Sequence, residues 1–237
     1  IEIAKTGGTL TLAGTIDVAG NWTHTSGAVD ATTSKVSFVG NATKSLVVNG
    51  MSFYDFEFKK TGNAKLSISG TVPLLRDLEL SFISGAAGSN IEGGVLEVAR
   101  NISGTTAGGG WAGSGGTAAS LVKLVGSGNH TISADSGNVI LPSLELNTTG
   151  TVTFTGSQVQ LGQHFTYTNA GSVSLPAIFL TTFTNMDGTA IVTPGSVTFK
   201  DVEINGGGTG LEAFTIVGTW DVNGNLELGY GTVPYAI

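Results

Sequence analysis

The chain has 237 residues, 37 of them glycine and none cysteine, and it carries a net charge of −7 although only 11% of its residues are charged. Without cysteine there is no disulfide scaffold, thiolate metal site or cysteine nucleophile, and with Lys200 as the single basic residue after Lys123 there is no cationic footprint for nucleic acid. A hydrophobic share of 40% excludes disorder, and no apolar run approaches the roughly 20 residues of a membrane-spanning helix, so membrane insertion is not expected of this segment.

Ile1-Glu2-Ile3 reads as an apolar-Glu-apolar strand. A Thr-Gly pair (AKTGG), an alternating strand (TLTLAG) and the stretch GTIDVAGNWTHTSGAV, Gly14 to Val29, follow it. SKVSFVGNATKSL, Ser34 to Leu46, completes a first cassette over about residues 1–52. The opening element returns as Phe56-Glu57-Phe58, Leu144-Glu145-Leu146 and Val202-Glu203-Ile204, which sets further cassettes at about 53–140, 141–198 and 199–237, the last truncated. Gly218 to Val233, GTWDVNGNLELGYGTV, repeats the Gly14 to Val29 stretch at half of its positions. The second cassette is long because of a Gly-rich insertion at about 86–119, expected to leave the body as a loop, with Trp111 as its candidate interaction residue.

Within each cassette, runs of about four to six residues alternate apolar and polar between glycines, the mark of short half-buried strands. Asn49-Gly50, Asp187-Gly188, Asn205-Gly206 and Asn223-Gly224 are the natural tight-turn sites. No stretch has helical period with a cap. The expected fold is therefore all-β, and the cassettes, short for separate sandwiches and without linkers, predict one β-solenoid domain over 1–237 with coils of roughly 18 to 28 residues. The usual crossover hand makes it a right-handed parallel β-helix.

The succession FxxLxIxxTxG, xLxGxxxVxGN, SGxV and SxVxFxG resembles the Gly/Thr-rich repeats of large secreted surface proteins of bacteria and archaea, adhesin-like and S-layer-like chains among them. That resemblance implies an extracellular, elongated structural or adhesive role and carries no catalytic residues to transfer. The segment LPAIFLTTFTNMDGTAIVTPG lacks the SxVxFxG signature.

No catalytic constellation is visible. Glu2, Glu57, Glu145 and Glu203 would form a line of carboxylates if their strands stacked, but a Glu between apolar strand neighbours is by default solvent-facing. Asp17 and Asp221 share one place in the repeated stretch and are expected to point outward or to bond a neighbouring turn. His24, His130 and His164 stand at unrelated positions and build no metal site, and His24 is expected to face outward. No metal or other cofactor is expected. Five Asn-x-Ser/Thr sequons, at Asn21, Asn41, Asn101, Asn129 and Asn147, are candidate glycan acceptors. The first and last residues, IEIAKTGG and GTVPYAI, show neither leader nor polar cap, which predicts self-association or continuation of the same polypeptide at both ends. The expectation is a non-enzymatic extracellular structural protein, a segment of an adhesin, stalk, S-layer or filament, with surface glycans as further partners. A carbohydrate-binding or carbohydrate-cleaving β-helix is the alternative, and irregular Thr-x-Thr pairs such as Thr151/Thr153/Thr155 keep an ice-binding face as a lesser one.

Overall fold

The computed structural model describes the chain except for residues 63, 84–90, 108–119, 135–137, 178, 185–187, 206–210 and 230–237. All regular structure in it is β, without a helix among the described residues, and the ladders are parallel. A single alternating strand has one apolar face and nothing to bury it against. Winding successive strands into a solenoid lets each coil cover the next.

Three stacks of inward side chains show how this works. On the largest sheet Val36, Phe56, Leu78, Ile102, Ile132 and Phe154 follow one another in register. A second sheet stacks Val72, Leu96, Val122, Leu144, Phe165 and Val192. A third stacks Leu141, Leu161, Phe183 and Ile204. All of these side chains are buried, and each contributes about 1.5–3 kcal/mol through the apolar area it removes from water. Partners lie between 19 residues apart, as for Leu10 and Val29, and 30 apart, as for Ile102 and Ile132. The coil length read from the sequence is thus the length observed, with one longer turn.

Aromatic residues fill the wider layers. Phe53 meets Trp22 edge-on at 5.2 Å between ring centroids and lies tilted against Phe56 at 5.4 Å, and farther along Phe165 meets Phe199 edge-on at 5.5 Å. Such edge-to-face pairs add about 0.5–1.5 kcal/mol beyond their area.

Two features depart from the expected pattern. The first two strands, Glu2–Val18 and Trp22–Gly40, are 17 and 19 residues long instead of being broken at each glycine. Their pairing slips at Ile3/Ala4, Ala4/Thr9 and Thr11/Ala13. Gly8 and Gly14, both at φ 68°, lie in this irregular stretch, so bulges bend the strand around corners without ending it. The segment at about 86–119 also differs from the loop expected there. Its described part carries Ile91–Glu92, Val95–Val98 and Ile102–Ala107, all laddered to neighbouring coils, because alternation of apolar residues persists through it. Trp111 lies outside the described residues.

Asn49-Gly50 forms the anticipated tight turn. Both residues have positive φ, and Met51 N donates to the Val48 carbonyl at 2.7 Å. Gly14 and Gly218, which open the two copies of the repeated stretch, both adopt positive φ as corner residues. The copies nevertheless sit on different sheets, Asp17 beside Ser37 and Asp221 beside Thr198.

Candidate functional site

The repeated glutamates do not form one row. Glu2 and Glu57 lie on the first sheet, Glu145 on the second and Glu203 on the third. The chain returns to the same local sequence after a non-integral number of coils, so equal sequence positions face different directions. Glu57, Glu145 and Glu203 each meet a group on an adjacent coil.

Lys35 Nζ lies 2.6 Å from Glu79 Oε2 and 3.0 Å from Glu57 Oε2. Ser37 donates to Glu57 at 2.7 Å, and Glu57 is only 6% exposed, so this glutamate is not the solvent-facing residue expected of it. Burial pushes the Glu57 carboxyl up, but hydrogen bonds from Ser37, Lys35 and Ser81 and the Lys35 charge outweigh it and hold the group below the usual glutamate range. Lys35 is pushed down by burial and more strongly up by Glu79 and Glu57, ending above its ordinary value. On the second sheet Lys123 stands between Glu97 at 4.0 Å and Glu145 at 3.7 Å. Arg76 bridges Asp55 at 2.9 Å and Asp77 at 3.0 Å. In each case a cation is intercalated between acids of neighbouring coils, which cancels the like-charge repulsion that stacking would impose.

A second device escaped the sequence reading. Asp77 N donates to Asp55 Oδ1 at 3.2 Å, Asn101 donates to Asp77 Oδ1 through its backbone N at 3.1 Å and its Nδ2 at 3.0 Å, and Thr131 N donates to Asn101 Oδ1 at 3.0 Å. Asn21 takes the Ser45 N–H, Asn129 the Thr151 N–H and Asp201 the Asn225 N–H in the same way. These side chains satisfy N–H groups at or just before the starts of strands on the neighbouring coil. The available signal was an Asp or Asn immediately before an apolar strand residue, as in Asp55-Phe56, Asp77-Leu78, Asn101-Ile102 and Asp201-Val202, recurring at coil spacing.

The sequons therefore differ in chemistry. Asn21, Asn41 and Asn129 are exposed, while Asn101 and Asn147 are half-buried. Asn101 uses its Nδ2, the atom a glycan would join, in the bond to Asp77.

His24 is buried, against the outward position expected for it: Nδ1 lies 3.1 Å from the Val48 carbonyl and Nε2 2.9 Å from that of Gly27. It packs inward because its strand neighbours alternate the other way, with Trp22 buried and Thr23 and Thr25 facing out. His130 joins the Arg100 carbonyl and the Thr148 hydroxyl at 2.7 and 2.8 Å. His164 accepts the Ile191 N–H on Nδ1 at 3.0 Å, and burial holds it below the ordinary imidazole value. Lys44 is 2% exposed with its Nζ 2.8 Å from the Ala42 carbonyl, and burial pushes it down as well. Among the described residues no three His, Asp or Glu side chains converge as a metal site. Asp221 accepts from Thr198 at 2.8 Å, the bond to a neighbouring coil anticipated for it.

Facing outward on the largest sheet, Thr131 and Ser133 register with Thr153 and Thr155, and Thr151 and Thr153 with Ser172 and Ser174. Ser172 donates to Thr151 across coils at 3.0 Å. The outer surface is thus a lattice of hydroxyls crossed by paired charges.

These relationships define the class: a parallel β-solenoid whose outward polar groups satisfy one another from coil to coil. No family model, curated protein or solved structure matches the chain.

Proposed function

We propose that this chain is a non-enzymatic extracellular structural protein, a rod-like segment of a cell-surface adhesin, stalk, S-layer or filament. The observation that carries this reading is the distribution of Glu57, Glu145 and Glu203 over three sheets, each beside a partner on a neighbouring coil. Side chains that the repeat multiplies are engaged in holding coils together and do not converge on a cleft. The mechanism is mechanical. Backbone hydrogen bonds between coils run along the rod axis and stiffen it, so the rod holds a functional tip away from the cell or forms part of a longer assembly.

An extracellular setting is supported by the hydroxyl-rich, weakly charged surface and by the likeness to secreted Gly/Thr-rich repeats. Surface glycans are proposed partners, with Asn21, Asn41 and Asn129 the most accessible acceptors. Immunogold labelling of intact source cells, with electron microscopy of the native material, tests the proposal. Label at the surface on rods, filaments or a lattice is expected. Label confined to the cytoplasm, or compact monomers that degrade a polysaccharide, would overturn it.

A further inference from the structure

On the second sheet the joint between the strands Phe165–Asn169 and Gly188–Thr193 has the sparsest ladder. Only Phe165/Val192 and Thr166/Thr193 register across it, two pairs against four or five at every other joint of that sheet. Where the backbone pairing stops, two adjacent side chains carry the contact. Gln163 Nε2 donates to the Thr189 carbonyl at 3.3 Å, and His164 Nδ1 accepts the Ile191 N–H at 3.0 Å. His164 is itself tied to the preceding coil, its N–H to the Ser143 hydroxyl at 3.2 Å and its carbonyl to the Leu144 N–H at 3.0 Å. One anchored imidazole thus stands in for a ladder acceptor of the next coil.

The kind of acceptor matters because of what a proton does to it. The comparable N–H groups at other strand starts are taken by Asn21, Asp55, Asp77, Asn101, Asn129 and Asp201, side chains of types that keep their charge between about pH 5 and 8. An imidazole nitrogen accepts only when it is bare. Protonation at Nδ1 sets N–H against N–H and leaves the donor of Ile191, a residue 40% exposed, to water. Of the elements packed against the ring, the preceding coil carries Glu145, in register with Thr166. Its Oε1 accepts from Thr168 at 2.9 Å and lies 3.7 Å from Lys123. The following strand, Gly188–Thr193, holds no titratable side chain, and the ring's own strand holds Tyr167, whose hydroxyl donates to the Ala170 carbonyl at 2.9 Å. Asp187, next in sequence to Gly188, lies outside the described residues. Burial holds His164 below the ordinary imidazole value of 6.5, in the direction that a bare, accepting nitrogen requires.

We propose that the contact between His164 and Ile191 is an acid-released latch, which closes the joint between these two coils at neutral pH and opens it locally when the ring takes a proton. Gln163 and the two registered pairs remain, and Phe165 and Val192 stay stacked inside, so release gives the rod a point of bending without unfolding it. The latched state binds the proton less well than the open one. The latch therefore weakens as pH falls below 6.5, and the loss is complete below the lowered folded value. This inference goes beyond the structural reading of the chain and stands or falls apart from it.

The test is amide exchange of the purified 237-residue chain, followed by NMR from about pH 7.5 to about pH 4.5 and expressed as protection factors. In the wild type, protection of the Ile191 amide is expected to fall by up to about tenfold per pH unit below 6.5. Val122, on the same sheet with its N–H on the Ser143 carbonyl at 2.9 Å, is expected to keep its protection. The Ile191 amide resonance should titrate with the midpoint of the His164 ring. His164→Asn presents an oxygen where Nδ1 stands, the arrangement that Asn21 and Asn129 already use, and should make Ile191 protection independent of pH over this range. Asp187→Asn should leave the wild-type profile in place. Ile191 protection that does not change in the wild type, a fall shared equally by Val122, or a fall that persists in His164→Asn would overturn the proposal. Loss of the acid response in Asp187→Asn would assign the titration to that carboxylate and overturn it as well.

Discussion

Lys35 holds Glu57 across a coil boundary: its Nζ lies 3.0 Å from Glu57 Oε2, on a carboxylate side chain that is only 8% exposed. A buried charge of this kind is costly once its partner is gone. Lys35→Met should therefore lower stability by about 2 kcal/mol, less than for a fully buried pair because Lys35 itself is a third exposed. Lys35→Met/Glu57→Gln should recover part of the loss. Urea denaturation of both single variants and the double variant measures the coupling, and strictly additive effects would show that the pair is not one unit.

The same pair sets a pH window. Glu57 is held below its ordinary value of 4.5 in the fold, so its contribution is present above that pH and is lost as pH falls through the lowered folded value. Lys35 is held above 10.5, so its contribution is complete below that pH and is lost as pH rises through the raised folded value. Thermal melts of wild type and Glu57→Gln should run in parallel between these limits and converge once pH has fallen through the lowered Glu57 value. A wild-type curve that falls no faster in acid than that of Glu57→Gln would refute the assignment.

Lys44 behaves in the opposite sense. Burial lowers its affinity for a proton and no carboxylate compensates, so the folded state gains stability as pH rises through the lowered value towards 10.5. Lys44→Met keeps the aliphatic stem and removes the buried ammonium. It should raise stability near neutral pH by about 1 kcal/mol and abolish the alkaline gain. The Ala42 carbonyl it releases belongs to an exposed residue and can turn to water.

How much of this was legible follows from what sets each feature. Alternation of Val, Ile, Leu and Phe is local, and it was enough to read an all-β solenoid and its coil length. Register is not local. Coils vary between the 19 residues from Leu10 to Val29 and the 30 from Ile102 to Ile132, and a slip of one residue turns a side chain from one face to the other. Hence Glu57, Glu145 and Glu203 look equivalent in sequence and face three ways, and His24, beside Trp22 and Thr23, is buried although its neighbourhood reads as polar. The Lys35–Glu79 contact, 44 residues apart, has no sequence signal of its own. The corner ladder had one, an Asp or Asn before each strand, that only the stacked coils make plain.

Asp77 supplies the clearest test of that ladder. Its Oδ1 accepts both the backbone N–H and the Nδ2 of Asn101. Asp77→Ala leaves the backbone donor to water and should cost about 1 kcal/mol. Amide exchange at Asn101 should accelerate about tenfold or more, while that of Leu124, on another sheet, stays unchanged. Uniform acceleration of both amides would mean that the corner is not a local clamp.

Glycine at the corners has two separable roles, and substitution to alanine tells them apart. Gly40 has φ 95° with open space where a Cβ would stand, so Gly40→Ala should cost only the left-handed strain, about 1–2 kcal/mol. Gly150 is not in the left-handed region, but a Cβ there would overlap the Gly128 carbonyl of the preceding coil. Gly171 stands in the same relation to the Thr149 carbonyl one coil farther on. Gly150→Ala must push two coils apart at a corner where the ladder fixes their separation, and about 3 kcal/mol or more should be lost. Equal effects of the two substitutions in thermal denaturation would show that backbone conformation alone, and not the close approach of stacked coils, explains why glycine occupies these turns.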